Sequence, residues 1–138
     1  LPLIVTGHSR QSLEWIAEHG DGWLTYPRSV EQQRMAWARW VSARQAVKAG
    51  WKPFSQSLYI DLTEDPDAKP TPIHLGYRLG RARLLEHLGA LRDIGVNHVA
   101  FNLRFSSRPL DAVLDELIEH VVPHFPALDP AEHETNGS

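Results

Sequence analysis

The feature that most limits what this chain can fold into is a recurring boundary. Three times a helix-like stretch stops at a glycine (Gly20, Gly50 and Gly95) and an apolar run follows it. Such alternation of helix and strand implies a parallel sheet with right-handed crossovers. Leu3–Thr6, rich in β-branched residues, reads as the first strand, and Gly7-His8 breaks it. Ser9 caps a helix running through about Glu18, with Leu13, Ile16 and Ala17 on one face. Trp23–Tyr26 is the second strand, closed by Pro27. A longer helix spans about Val30 to Ala49, its buried stripe being Ala36, Trp37, Trp40, Ala43 and Val47. Gly50 and Pro53 stop it.

Ser57–Leu62 is the third strand, and a connection containing Pro66, Pro70 and Pro72 follows. A helix from about Leu79 then places Leu84, Leu88 and Leu91 on one face, with Leu85 beside them. His98–Phe105 is the fourth strand. Ser106 or Ser107 caps the last helix, with Pro109 in its first turn. Its stripe is Leu110, Val113, Leu114, Leu117, Ile118 and Val121, and Pro123 and Pro126 end it. The expected order is therefore βαβαβαβα in one α/β domain over residues 1–128, with Asp129–Ser138 a polar, flexible tail.

Two architectures fit: a four-stranded doubly wound sheet, or half of a (β/α)8 TIM-type barrel, which needs about 250 residues when whole. In the third strand Leu58, Ile60 and Leu62 share one face while Ser57, Tyr59 and Asp61 share the other. In the fourth, Val99, Phe101 and Leu103 oppose Ala100, Asn102 and Arg104. A doubly wound sheet is covered on both faces and should be apolar on both, so the alternation favours the half-barrel. A strand at the edge of an open sheet would alternate in the same way.

Composition narrows function. The net charge of −3, with no basic stripe, speaks against an electrostatic nucleic-acid binder. The absence of cysteine excludes disulfide scaffolds, thiolate metal sites and cysteine nucleophiles. No histidine pair has convincing ligand spacing; His120 and His124 are separated by Pro123. No metal site is therefore expected. The sequence lacks GxGxxG, Walker and GxSxG patterns. No apolar run approaches the roughly 20 residues that cross a bilayer, and no signal-peptide pattern opens the chain. The expected location is the cytoplasm. The start, Leu1-Pro2-Leu3 without a Met, reads as a piece of a longer protein.

Both architectures gather ligands at the carboxyl ends of strands. The first such end, Thr6-Gly7-His8-Ser9-Arg10-Gln11-Ser12, offers a helix start with free N–H groups and the hydroxyls of Ser9 and Ser12, which suits a phosphate. A capping serine without any ligand is commonplace, and from the residues alone that reading has the advantage. Thr63–Gly76 is long for a strand-to-helix loop and would form a lid or substrate wall, or simply a surface loop. Tyr77 and Arg78 follow it as candidate ligand contacts. Arg104 would hold an anion or pair with Asp61.

The run from Ile4 to Trp23, IVTGHSRQSLEWIAEHGDGW, resembles the luciferase-like flavin monooxygenases, in which a strand ends at a small residue and a hydroxyl-rich helix start follows. Gly95-Val96-Asn97-His98-Val99 is similar to that family's approach to its last strand. The resemblance spans most of Leu1 to Pro126 and implies the carboxyl half, strands five to eight, of a (β/α)8 barrel that binds FMN or the deazaflavin F420. It implies an oxidoreductase that oxygenates a small organic substrate. Ser9 and Ser12 then match positions that grip the flavin phosphate, with Gly7, His8 and Gln11 as neighbours in the same loop. No catalytic residue is carried over, because the family keeps most of that chemistry in the other half. A half-barrel exposes sheet edges, so association with a second copy or with the missing amino-terminal half is expected. The alternatives are a non-redox phosphate-binding (β/α) fragment and a non-catalytic assembly module.

Overall fold

β1 (Ile4–Thr6), α1 (Leu13–His19), β2 (Gly22–Thr25), α2 (Val30–Ala46), β3 (Phe54–Leu62), β4 (Thr71–Ile73), β5 (Gly76–Leu79), α3 (Arg81–Ile94), β6 (His98–Asn102) and α4 (Leu110–His120) follow one another along the chain. A short 3-10 turn, Val122–His124, closes the series. The structure is a computed structural model and describes residues 1–127. It is a mixed α/β protein with largely parallel strand pairing. The expected tail at Asp129–Ser138 lies outside the described residues. The described residues form two compact units, one of residues 1–57 and 91–100, the other of 58–90 and 101–127.

In the first unit β1 pairs in parallel with β2, and β2 with the start of β3, in the register Ile4 to Gly22 and Trp23 to Phe54. Its core joins Leu13, Ile16 and Ala17 of α1 to Ala36, Trp40 and Ala43 of α2, around Trp23 and Phe54. The expected stripe of α1 is thus buried; of that of α2, Ala36, Trp40 and Ala43 are buried and Trp37 and Val47 partly so. The helix ends fall elsewhere than expected. α1 starts four residues after Ser9, because Ser12 is the residue with extended backbone whose Oγ accepts from the Trp15 N–H. α2 starts on a capping box of Ser29 and Gln32 and ends at Val47, where Lys48 turns to a φ of 54°. Gly50 is thus not its stop. At the end of α1, Lys52 Nζ reaches the carbonyls of Ala17 (2.5 Å) and Gly20 (2.7 Å), a cation where the helix dipole favours one.

The second unit departs further. The proline-containing connection is not a bare loop. It folds into a hairpin, β4 antiparallel to β5, and β5 pairs in parallel with the end of β3. The turn residue Leu75 has a φ of 52°. Residues 76–79 are thus strand rather than a lead into the helix, and α3 begins at Arg81. A Cβ on Gly76 would lie 1.7 Å from the Tyr59 carbonyl oxygen, so only glycine permits this pairing. β3 keeps the predicted alternation over 57–60, with Leu58 and Ile60 fully buried and Ser57 and Tyr59 half-buried, but Asp61, expected on the face of Ser57 and Tyr59, is buried like Leu62.

β6 is shorter than expected, and neither Ser106 nor Ser107 caps α4. Pro109 stands at the cap position without a side-chain bond. The stripe of α4 also splits. Val113, Leu117 and Val121 are buried, whereas Leu110, Leu114 and Ile118 are exposed.

Candidate functional site

The carboxyl end of β1 is built under tension. Gly7 donates its N–H to the Leu24 carbonyl (2.8 Å), extending the strand pairing by one step. Its carbonyl accepts from the Trp23 indole N–H at 2.6 Å. Gly7 has a φ of 58°, and a Cβ there would press on the Tyr26 ring at 3.3 Å. The next four residues form a tight turn closed by the Gln11 N–H on the His8 carbonyl at 2.6 Å. Its central residues, Ser9 and Arg10, have φ values of 45° and 62°. Two positive φ angles in succession are the mark of a type I′ turn, for which glycine and asparagine are the usual occupants. For L-residues with side chains the left-handed region costs on the order of 1–2 kcal/mol each. Such strain persists only where the surroundings over-determine the backbone.

The turn delivers its residues unequally. Ser9 Oγ turns inward and donates to the Thr6 carbonyl (3.0 Å). His8 lies edge-on against Trp23, with ring centroids 5.7 Å apart. His8 and Ser12 line a cleft of about 490 Å³ together with Leu13 and Glu14 of α1 and Ala38, Arg39 and Ser42 of α2. Ser12 uses an oxygen lone pair to cap α1, so its hydroxyl proton remains free to donate. The N–H groups of Leu13 and Glu14 are among those that no helix satisfies internally. Arg39 makes no ion pair among the described residues. The cleft thus combines a guanidinium, two hydroxyls and an imidazole with one opposing carboxylate, Glu14.

Of the residues singled out from the sequence, His8 and Ser12 come together here. Gly7 shapes the turn from beneath, and Ser9 and Gln11 are used within it. Arg39, Ser42 and Glu14 escaped the sequence reading. Their only signal was that Ala38 and Ser42, small and four apart, flank Arg39 on the side of α2 away from its buried stripe. α1 has only seven residues, so its dipole is a weak anion attractor, and Arg39 is the principal positive charge in the cleft.

No protein-family model matches this chain, and no curated protein matches it. The geometry is therefore what bears on function.

The other predicted contacts lie in the second unit and do not line this cleft. Tyr77 and Arg78 are neighbours on β5 and so point to opposite faces. Tyr77 packs edge-to-face on His87, with centroids 5.3 Å apart. Arg78 Nη1 lies 3.7 Å from Asp61. Asp61, 6% exposed, also accepts from the Ser107 N–H (3.0 Å) and hydroxyl (2.9 Å). Of the two alternatives for Arg104, the pairing with Asp61 does not form; Arg104 lies over the Phe105 ring, 5.8 Å from its centroid. Arg108 bonds the Thr63 carbonyl (3.1 Å) and Glu116 (2.6 Å), and Arg81 also reaches Glu116 (3.2 Å). Burial lowers the pKa of His87, holding it neutral near pH 7. Among the described residues no group of three acidic or histidine side chains could hold a metal, and no helix is long and apolar enough to cross a membrane.

Proposed function

We propose that this chain is the carboxyl-terminal part of a luciferase-like, flavin-dependent oxidoreductase, half of a (β/α)8 barrel, and that its cleft receives the phosphate end of FMN, or of F420 in the deazaflavin branch. The observation that carries this reading is the convergence of His8, Ser12, Arg39 and Ser42 on one cleft beside a strained strand-to-helix turn. The parallel register of β1, β2 and β3, with a helix in each crossover, supports the barrel reading. The cleft is open to solvent: of its lining residues only Leu13 is buried, so it would hold the phosphate end of a ligand without enclosing the rest. Its donors fit a phosphate: Arg39 supplies a bidentate fork, the two hydroxyls supply single bonds, and Glu14 opposes a dianion and limits affinity.

Flavin, when bound, supplies the redox chemistry. The chain's own contribution is to hold and orient the phosphate. The Trp23 indole fixes the Gly7 carbonyl, and with it the turn that presents His8 and Ser12. A small organic substrate and the amino-terminal half of the barrel, or a second copy of the chain, complete the reading.

Titration with FMN and, separately, with riboflavin tests it, following flavin fluorescence. Saturable FMN binding at least tenfold tighter than riboflavin, weakened about tenfold or more by Arg39→Ala, is the expected result, since a charge-assisted pair is worth about 1.5–3 kcal/mol. Equal affinity for the two flavins, or indifference to Arg39→Ala, contradicts it. Competition by glycerol phosphate at FMN's own affinity would favour the non-redox reading.

A further inference from the structure

α4 carries two parallel rows that no described residue covers. Leu110, Leu114, Ile118 and Val122, the last just beyond the helix, recur every fourth position and are 52%, 45%, 62% and 54% exposed. Asp111, Asp115 and Glu119 run beside them, one position on, and are exposed as well. The core takes a different row, Val113, Leu117 and Val121. The apolar arc of this helix is therefore wider than its own unit uses, which marks an interaction surface.

The acidic row is left unneutralised. Like charges four apart on a helix repel one another. Asp111 sits in the first turn, where the dipole favours it, but Asp115 and Glu119 have no such reason. Glu119 has only His120 nearby, at 3.8 Å, and Asp115 makes no ion pair among the described residues. The two arginines that pair with α4, Arg81 and Arg108, both do so through Glu116.

We infer that this face docks a basic amphipathic helix of a protein partner. Its apolar side chains, at helical spacing, would cover Leu110, Leu114, Ile118 and Val122. A flanking row of lysines or arginines would meet Asp111, Asp115 and Glu119. Helix-on-helix docking of this kind is read as anchors at i, i+4 and i+7 or i+8. A second copy of the chain fits worse, because antiparallel two-fold pairing of two such helices would set both acidic rows on the same side of the contact, like against like. This proposal does not depend on the flavin reading.

The test uses the whole chain and two synthetic helical peptides with identical leucine rows, one flanked by lysine and one by glutamate, followed by fluorescence anisotropy. The lysine peptide should bind saturably, roughly tenfold or more tighter than the glutamate peptide, and the gap should shrink as salt is raised. Ile118→Asp should abolish binding. Asp115→Lys should narrow the gap between the peptides. Both positions are exposed, and circular dichroism checks that the variants stay folded. Equal affinity for the two peptides, or no binding of either, overturns the proposal. So does a dimer in sedimentation equilibrium that Ile118→Asp dissolves, because the second copy would then be the occupant.

Discussion

Two strand-to-helix turns in this molecule carry the same kind of sequence and do opposite things. One leaves β1 and enters α1; the other leaves β6 and enters α4. Both are rich in serine and arginine: His8-Ser9-Arg10-Gln11-Ser12 and Phe105-Ser106-Ser107-Arg108. In the second, the polar groups are consumed. Ser107 gives both its N–H and its hydroxyl to buried Asp61, and Arg108 is held by Glu116 and a backbone carbonyl. In the first, the backbone is strained while Ser12 and His8 face a cleft with an unpaired Arg39 across it. The second turn is a structural lock. The first spends Ser9 and Gln11 within itself but leaves the Ser12 hydroxyl proton free to donate.

The comparison breaks first at Asp61. Asp61→Ala strips Ser107 of its acceptor and leaves Arg78 without its carboxylate. Chemical denaturation should show a loss of about 3 kcal/mol, within the range for breaking a buried charged hydrogen-bond set. A loss under about 1 kcal/mol would mean that the second turn is not a lock. Ser12→Ala should cost only about 1 kcal/mol, the usual worth of a helix cap. If its cost matched that of Asp61→Ala, the contrast between the turns would be gone.

Arg10→Gly probes the strain directly. Glycine adopts a positive φ freely, so this variant should gain about 0.5–1 kcal/mol while the folded contacts stay the same. A thermal melt that shows destabilisation instead would mean that Arg10 makes contacts worth more than the strain.

The smallest effect is one of pH. Burial lowers the His87 pKa, so the unfolded chain takes up that proton more readily. Its contribution to stability is complete above the unfolded value of about 6.5 and is lost as pH falls below it. His87→Gln should flatten the stability profile between pH 7 and 5, measured by urea midpoints. An unchanged profile would assign the acid sensitivity to other groups.

The alternation of helix and strand was legible because it rests on periodicity and punctuation, which are local. The buried stripe of α1 and most of that of α2 were read correctly for that reason. The hairpin of β4 and β5 was not, since three prolines suggested a loop, and Gly76 acquires its meaning only against Tyr59, seventeen residues earlier. The α4 stripe was misread in part because periodicity shows an apolar face but not how much of it the core covers. At the site, His8 and Ser12 were visible as a turn signal. Arg39 was not, because a lone arginine on a helix has no local pattern that aims it at a turn some thirty residues away. Nor could local sequence separate the two serine-bearing turns. What saturates Ser107 is Asp61, 46 positions distant.

The most direct test of the central claim follows backbone amide resonances of the whole chain during an FMN titration. The account predicts saturable shifts at His8, Ser12, Leu13 and Arg39, with Ser106 to Arg108 unmoved. Shifts centred on Ser107, or none at the first turn while FMN binds elsewhere, would contradict it.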